Sequence, residues 1–220
     1  MMTEQKLPRS LSAVLEFYAA GYFPMAFCTD DTEIRWYNPE ERAILPIAEL
    51  HVPRKLRRLV LRHPYEIRVD TAFAEVIAAC GENRDSFWLN RTIRDLFIAL
   101  HRAGYAHSVE CWTRGGVLAG GVYGLALGGA FCAESMFSRE SNASKIALVH
   151  LCARLAAGGF TLLDAQIYNE HTGQFGAYDI PREEYLDRLG RALRISADFT
   201  VSGSPEDLAL LFLNAENLKK

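Results

Sequence analysis

An α+β fold is expected, with a mixed sheet flanked by helices and a small irregular subdomain at the N-terminus. Three observations carry this expectation. From about residue 64 onward, segments of helical apolar spacing and segments of strand-like alternation follow one another in a definite order. Three consecutive strand-like runs in that stretch are separated by glycine turns, as in an antiparallel meander. Before residue 63, turn residues break the chain into pieces too short to build a layered core. The expected organisation is therefore residues 1–63 as a subdomain ending in a basic helix, and residues 64–220 as the main domain.

Composition bounds the function classes. With 220 residues, 50% apolar and 23% charged, the chain has the make-up of a globular enzyme able to bury a core. No apolar run reaches the eighteen or so residues of a membrane span, and Met1 to Leu11 is too polar for a signal peptide, so a cytoplasmic location is expected. The five cysteines, Cys28, Cys80, Cys111, Cys132 and Cys152, form no CxxC pair, and four lie in apolar segments, which favours buried thiols over a disulfide framework or a zinc site. A net charge of −3 gives no global attraction to nucleic acid, so any RNA contact needs a local patch.

The elements follow in order. Leu11 to Gly21 carries Leu11, Leu15 and Tyr18 at helical spacing and stops at glycine, before Tyr22-Phe23-Pro24. Thr29 to Pro46 is rich in turn residues and holds Trp36-Tyr37-Asn38-Pro39 and Arg42 ahead of the apolar Ala43-Ile44-Leu45. His51 to Arg62 is the concentrated basic stretch, a helix with Pro53 near its start and Leu56, Leu59 and Val60 on its buried stripe. Its cations, Arg54, Lys55, Arg57, Arg58 and Arg62, are either a solvated face or a phosphate-binding patch.

Beyond it, Tyr65 to Val69 alternates like a strand, while Ala72 to Cys80 and Thr92 to Ala103 are helical. His107 to Thr113, Val117 to Leu125 and Gly129 to Phe137 make the meander. Asn142 or Ser144 caps a helix striped by Ile146, Val149, His150, Ala153 and Ala157 and closed by Gly158-Gly159. Phe160 to Asp164 is a strand, and Pro181 to Leu193 a helix with proline in its first turn.

By analogy, this order is that of a GNAT-type acyltransferase domain, which by itself names no substrate. Such domains commonly bind coenzyme A through a glycine-rich turn after the fourth strand, where backbone N–H groups cradle pyrophosphate. Here that connection, Ser135 to Asn142, contains no glycine, so coenzyme A is disfavoured.

Gly21-Tyr22-Phe23-Pro24, Trp36-Tyr37-Asn38-Pro39, His51-Val52-Pro53-Arg54, Gly120-Gly121-Val122-Tyr123-Gly124, Glu134-Ser135-Met136-Phe137-Ser138 with Asn142-Ala143-Ser144-Lys145, Leu163-Asp164-Ala165-Gln166, Asn169-Glu170-His171, Gly176-Ala177 and Ile180-Pro181-Arg182 occur in that order. Together, over roughly residues 11 to 190, they resemble the leucyl/phenylalanyl-tRNA–protein transferase family. The resemblance implies transfer of Leu, Phe and less well Met from aminoacyl-tRNA to acceptor proteins or peptides beginning with Arg or Lys, which marks them for N-end-rule proteolysis. It implies no cofactor, no metal, no DNA and no membrane. Two departures stand out: the family often has a Gly-Gly-Asp turn ahead of the first helix, for which this chain starts too late, and Met25 stands where many members carry a tryptophan, which would weaken adenine stacking.

The resemblance also assigns roles. Asp164 and Gln166 look like the family's catalytic pair, at i and i+2 on one strand face, with Asp164 either orienting Gln166 or accepting a proton. A capping role for Asp164 after its strand is the competing reading. Glu134 sits among apolar neighbours and needs a cation, either the α-amino group of the aminoacyl moiety or Arg139 or Lys145. Asn169 is similar to the residue that bonds the adenosine end, Trp88 to the one that stacks on the terminal adenine, and Tyr18 to a further substrate-binding residue. Val122, Phe131, Leu148, Leu151, Leu155 and Leu163 match the apolar lining of the amino-acid pocket, where a polar side chain would lose water without gaining partners. His171 belongs either to the acceptor site or to the structure. The competing functions are a GNAT-fold acyl-CoA N-acetyltransferase and a non-catalytic tRNA-binding module.

Overall fold

The computed structural model describes residues 2–4, 10–25, 35–82 and 89–217. Strand β1 (Met2–Glu4), helix α1 (Leu11–Ala19), β2 (Phe23–Met25) and β3 (Arg35–Tyr37) form a small unit whose antiparallel sheet runs β1-β3-β2. Ser10 caps α1 by accepting the Ala13 N–H, and the helix stops at Gly21, whose φ of +87° suits glycine. The two layers join through Trp36, which stacks on Phe17 at 4.4 Å and meets the edge of Tyr18.

The remaining elements are β4 (Glu41–Leu45), α2 (Arg54–Val60), β5 (Glu66–Val69), α3 (Phe73–Gly81), α4 (Arg91–Arg102), β6 (Ala106–Trp112), β7 (Leu118–Leu127), β8 (Ala130–Ser138), α5 (Ala143–Ala157), β9 (Leu162–Gln166), α6 (Glu170–Gly173), β10 (Tyr178–Pro181), α7 (Arg182–Ala192) and α8 (Pro205–Asn217). Seven strands form one sheet in the order β10-β4-β9-β8-β7-β6-β5. All neighbours are antiparallel except β8 and β9, so the sheet is mixed and the fold is α+β, as expected. Helices α2, α5 and α8 cover one face, and α1, α3 and α4 cover the other. Helix α7 closes the β10-β4-β9 end through Tyr185, Leu189 and Ala192.

The large sheet does not begin at residue 64. Strand β4 lies inside it, paired on both sides, and α2 packs on α5. Five residues that include an arginine carry too little periodicity to announce a buried strand.

Helix α5 is buried around nearly its whole circumference, from Ala143 to Leu155, so the expected stripe is only part of its buried surface. Its start also differs from expectation. Asn142 occupies the cap position in a left-handed conformation, φ 66°, without a side-chain cap bond; the hydroxyl of Ser138, at the end of β8, accepts the Ser144 N–H at 3.1 Å instead. Among the described residues no helix is long and apolar enough to cross a membrane. Cys80, Cys111, Cys132 and Cys152 are buried free thiols, and Cys28 lies outside the described residues.

Candidate active site

Strands β8 and β9 run parallel and pair only from Ala130 to Cys132 and from Leu162 to Asp164. Beyond that point each strand is bulged against its other neighbour. On β8, Ser135 faces Tyr123 and Ala133 faces Gly124, so Glu134 is the extra residue of a bulge. On β9, Gln166 faces Ala43 and Asp164 faces Ile44, so Ala165 is extra, and Gln166 takes a left-handed φ of 62°. Two bulges at the same level part the strands. The resulting crevice has a volume of about 440 Å³ and is bounded by Glu134, Ser135 and Met136 on one side and by Ala165, Asn169 and His171 on the other.

Glu134 is the carboxylate in this crevice. Tyr18 donates its hydroxyl to Glu134 Oε1 at 2.8 Å. Burial pushes the Glu134 carboxyl up to about 7, against the opposing influence of Tyr18 and of the Gln166 amide beside it. Neither cation proposed as its partner is used: Arg139 pairs with Glu82 at 2.8 Å, and Lys145 donates to Gln174 at 2.8 Å. Tyr18 itself is held well above the ordinary phenol range by burial and by Glu134, so it remains a donor.

Asp164 sits behind the crevice, with no exposed surface. Its Oδ1 accepts from Arg42 Nε at 2.8 Å and from the backbone N–H of Gln166 at 2.8 Å. Its Oδ2 accepts from the Arg42 guanidinium at 2.5 Å and from the Tyr185 hydroxyl at 2.9 Å. The capping reading therefore describes one of its bonds, since it ties down the turn at Gln166. The simple i, i+2 argument does not carry through the bulge, because a left-handed residue breaks strand alternation. Gln166 nonetheless reaches Glu134, and its Nε2 is buried with no well-formed hydrogen bond among the described residues.

Arg42 escaped the sequence reading as a functional residue. It is 1% exposed, donates to Gly21 O at 2.9 Å, and lies between the rings of Phe23 and Tyr185. Burial pulls its pKa down, yet the charge and hydrogen bonds of Asp164 leave it above its ordinary value. The available signal was a cation at the head of an apolar run, which demands a buried partner.

The other expected site residues separate into groups. Asn169 stands at the crevice and spends its Oδ1 on the Thr172 N–H at 2.9 Å as the cap of α6. His171 lines the same space. Of the six apolar residues, Val122 lines the crevice, whereas Phe131, Leu148, Leu151, Leu155 and Leu163 are packed in the core, each no more than 2% exposed. Trp88 lies outside the described residues.

On the basic helix, Arg54, Lys55 and Arg58 are exposed, as is Arg62, which lies two residues past the end of the helix at Val60 and not within it as expected. Arg57 is not free in the same way: it donates to Leu213 O at 2.5 Å and to Asn214, fastening α8. The residues flanking α2 approach the crevice end of α5. His51 donates to Phe175 O just after α6, and Tyr65 donates to Glu140 and Ser141 just before α5.

Residues 44–190 match the family model described as leucyl/phenylalanyl-tRNA protein transferase, a span that takes in Glu134, Asp164, Gln166 and the basic helix. A leucyl/phenylalanyl-tRNA–protein transferase of Phenylobacterium zucineum is 54% identical over 194 residues, 87% of each chain. Proteins of the same name from Hyphomonas neptunium and Paramagnetospirillum magneticum are each 51% identical, over 84% and 87% of this chain and 73% and 93% of their own. Among solved structures, L-PGS from Bacillus licheniformis aligns with a TM-score of 0.44 at 11% identity, over 83% of this chain and 70% of that one. Relatives this similar, matched along nearly the whole chain through both bulged strands, carry the assignment: this chain belongs to the leucyl/phenylalanyl-tRNA–protein transferase family.

Proposed function

We propose that this protein transfers leucine, phenylalanine and, less well, methionine from aminoacyl-tRNA to the N-terminal Arg or Lys of acceptor proteins, marking them for N-end-rule proteolysis in the cytoplasm. The observation that carries the reading is the crevice between β8 and β9, which sets Glu134 beside Gln166 in a chain of this family.

An aminoacyl ester is already activated: the acceptor's neutral α-amine attacks the carbonyl carbon, the ester C–O bond breaks, and one amine proton passes to the departing ribose 3′-oxygen, which leaves as a hydroxyl. The site therefore has to hold the amine at the carbonyl and support the developing oxyanion. Glu134, deprotonated, receives the α-ammonium of the aminoacyl moiety, with the Tyr18 hydroxyl donating to its Oε1. Gln166 presents its buried amide to the reacting carbonyl or amine. Asp164, with both oxygens already accepting two bonds each, acts by orienting Gln166 and not by taking a proton. The Asn169 amide meets the adenosine end. The amino-acid side chain lies against Val122, with the core leucines behind it fixing the depth of the space.

The direct test is transfer of labelled leucine from Leu-tRNA to a peptide beginning with Arg, compared with one beginning with Ala. Label should enter the first and not the second. No incorporation into either would overturn the proposal, and coenzyme A-dependent acetylation in its place would favour the acetyltransferase reading.

Two further outcomes are expected. Val122→Phe should narrow the crevice and lower phenylalanine transfer more than leucine transfer, because the larger group has less room; an unchanged Phe-to-Leu ratio would put the side chain elsewhere. Arg54→Ala with Arg58→Ala should weaken binding of every aminoacyl-tRNA alike and flatten the salt dependence by roughly one unit per lost phosphate contact. Arg57→Ala should instead loosen α8, visible as faster amide exchange in residues 205–217.

A further inference from the structure

Arg42 lies outside the crevice lining, yet it connects the two side chains that flank Glu134. On one side it holds Gly21 O, and the Gly21 N–H in turn bonds Tyr18 O at the end of α1, whose Tyr18 hydroxyl meets Glu134. On the other side it grips both oxygens of Asp164, whose Oδ1 also takes the N–H of the left-handed Gln166. Gly21 sits at φ +87°, a conformation that suits glycine, and a Cβ there would meet the side-chain end of Leu186 at 2.6 Å. Tyr185 holds Asp164 through its hydroxyl and stacks its ring over the guanidinium at 4.4 Å.

Resting on the reading of the crevice as the transfer site, we propose that Arg42, supported by Tyr185, is a positioning residue for the reaction: through Gly21 and Asp164 it fixes Tyr18 and Gln166 relative to each other on the two sides of Glu134. The requirement is for a planar fork. A guanidinium can give parallel bonds to a carboxylate and a third to a carbonyl, whereas an ammonium is a point charge that cannot hold all three directions. Displacement of a reacting group by about 1 Å costs on the order of a hundredfold in rate, so loss of the fork should appear in kcat.

The test is a double-mutant cycle with full-length protein, measuring kcat and KM for Leu-tRNA and the melting temperature. Arg42→Lys should lower kcat by at least about tenfold with KM changed less than about twofold, and should add less than about threefold when placed on Gln166→Ala. A merely structural role predicts equal losses in both backgrounds. If Arg42→Lys does not fold, Tyr185→Phe supplies the same cycle: it keeps the ring over Arg42, removes the bond donated to Asp164 and the longer one accepted from Arg42 at 3.3 Å, and should lower kcat about threefold with Gln166 present and not at all without it. Equal losses in both backgrounds, or an unchanged kcat in the Gln166 background, would overturn the role. Absence of transfer by the wild-type protein would instead overturn the proposed function, and this role with it.

Discussion

Gln166→Ala should lower the rate of transfer by about ten- to a thousandfold while leaving the affinity for aminoacyl-tRNA nearly unchanged, as expected for a group whose interaction matters in the transition state. The expectation comes from its position. Its amide nitrogen is buried beside Glu134, which lines the crevice, on a left-handed residue whose N–H bonds Asp164. Single-turnover kinetics with Phe-tRNA separate the two quantities, and a wild-type rate would remove Gln166 from the mechanism. Asp164→Ala is a different experiment from the one its place in the pair suggests. It strands a fully buried Arg42, a change that costs about 3–5 kcal/mol when one partner of such an ion pair is removed. Loss of activity there should come with a large fall in melting temperature, whereas Gln166→Ala should melt near the wild type.

Glu134→Gln should abolish most transfer and yet stabilise the fold at alkaline pH. Burial raises the Glu134 carboxyl from 4.5 to about 7, so between those values the folded state binds more protons than the unfolded one. Stability associated with this group is therefore present at low pH and lost as pH rises through about 7. Glutamine has no proton to lose. At pH 8 the variant should be more stable by an amount on the order of 1–3 kcal/mol, and at pH 4 it should match the wild type. Melting curves at the two pH values check this. A variant less stable than wild type at pH 8 would show that the Glu134 charge is matched within the unliganded fold. For activity, affinity for the aminoacyl end should rise as Glu134 ionises through about 7 and fall again as the substrate's own α-ammonium deprotonates.

Periodicity revealed the meander β6–β8, the helices α1 and α3 to α5, the basic helix and α7, because each is long enough to repeat its pattern. Strands β1, β2, β3, β4 and β10 went unread: they span three to five residues, and β10 ends in Pro181, whereas the equally short β5 and β9 were read, β5 from its alternation and β9 from an apolar run after Gly158-Gly159. Helix α8 passed unread as well, although Pro205 marks its start. The site was legible as residue types. Asp164, Gln166, Glu134 and Asn169 lie at or directly behind one crevice.

What composition and spacing do not contain is the register between strands. The bulges at Glu134 and Ala165 that open the crevice exist only once β7 and β4 are paired alongside. Arg42 meets Asp164 across 122 positions and Arg57 meets Leu213 across 156, distances over which no local pattern operates. Leu148, Leu151 and Leu155 share a face of α5, but a helix buried on all sides gives spacing no power to separate a pocket wall from the core.

The central claim is that the crevice between β8 and β9 holds the aminoacyl end of the substrate. A crystal structure with phenylalanyl-adenosine joined through a non-hydrolysable 3′-amide tests it most directly. The ligand's α-ammonium should lie within hydrogen-bond distance of Glu134, its carbonyl near Gln166, its adenosine at Asn169 and its ring against Val122. Density for the ligand in the apolar groove between α5 and α8, lined by Ala153, Ala156, Leu211 and Phe212, with an empty crevice, would contradict the account.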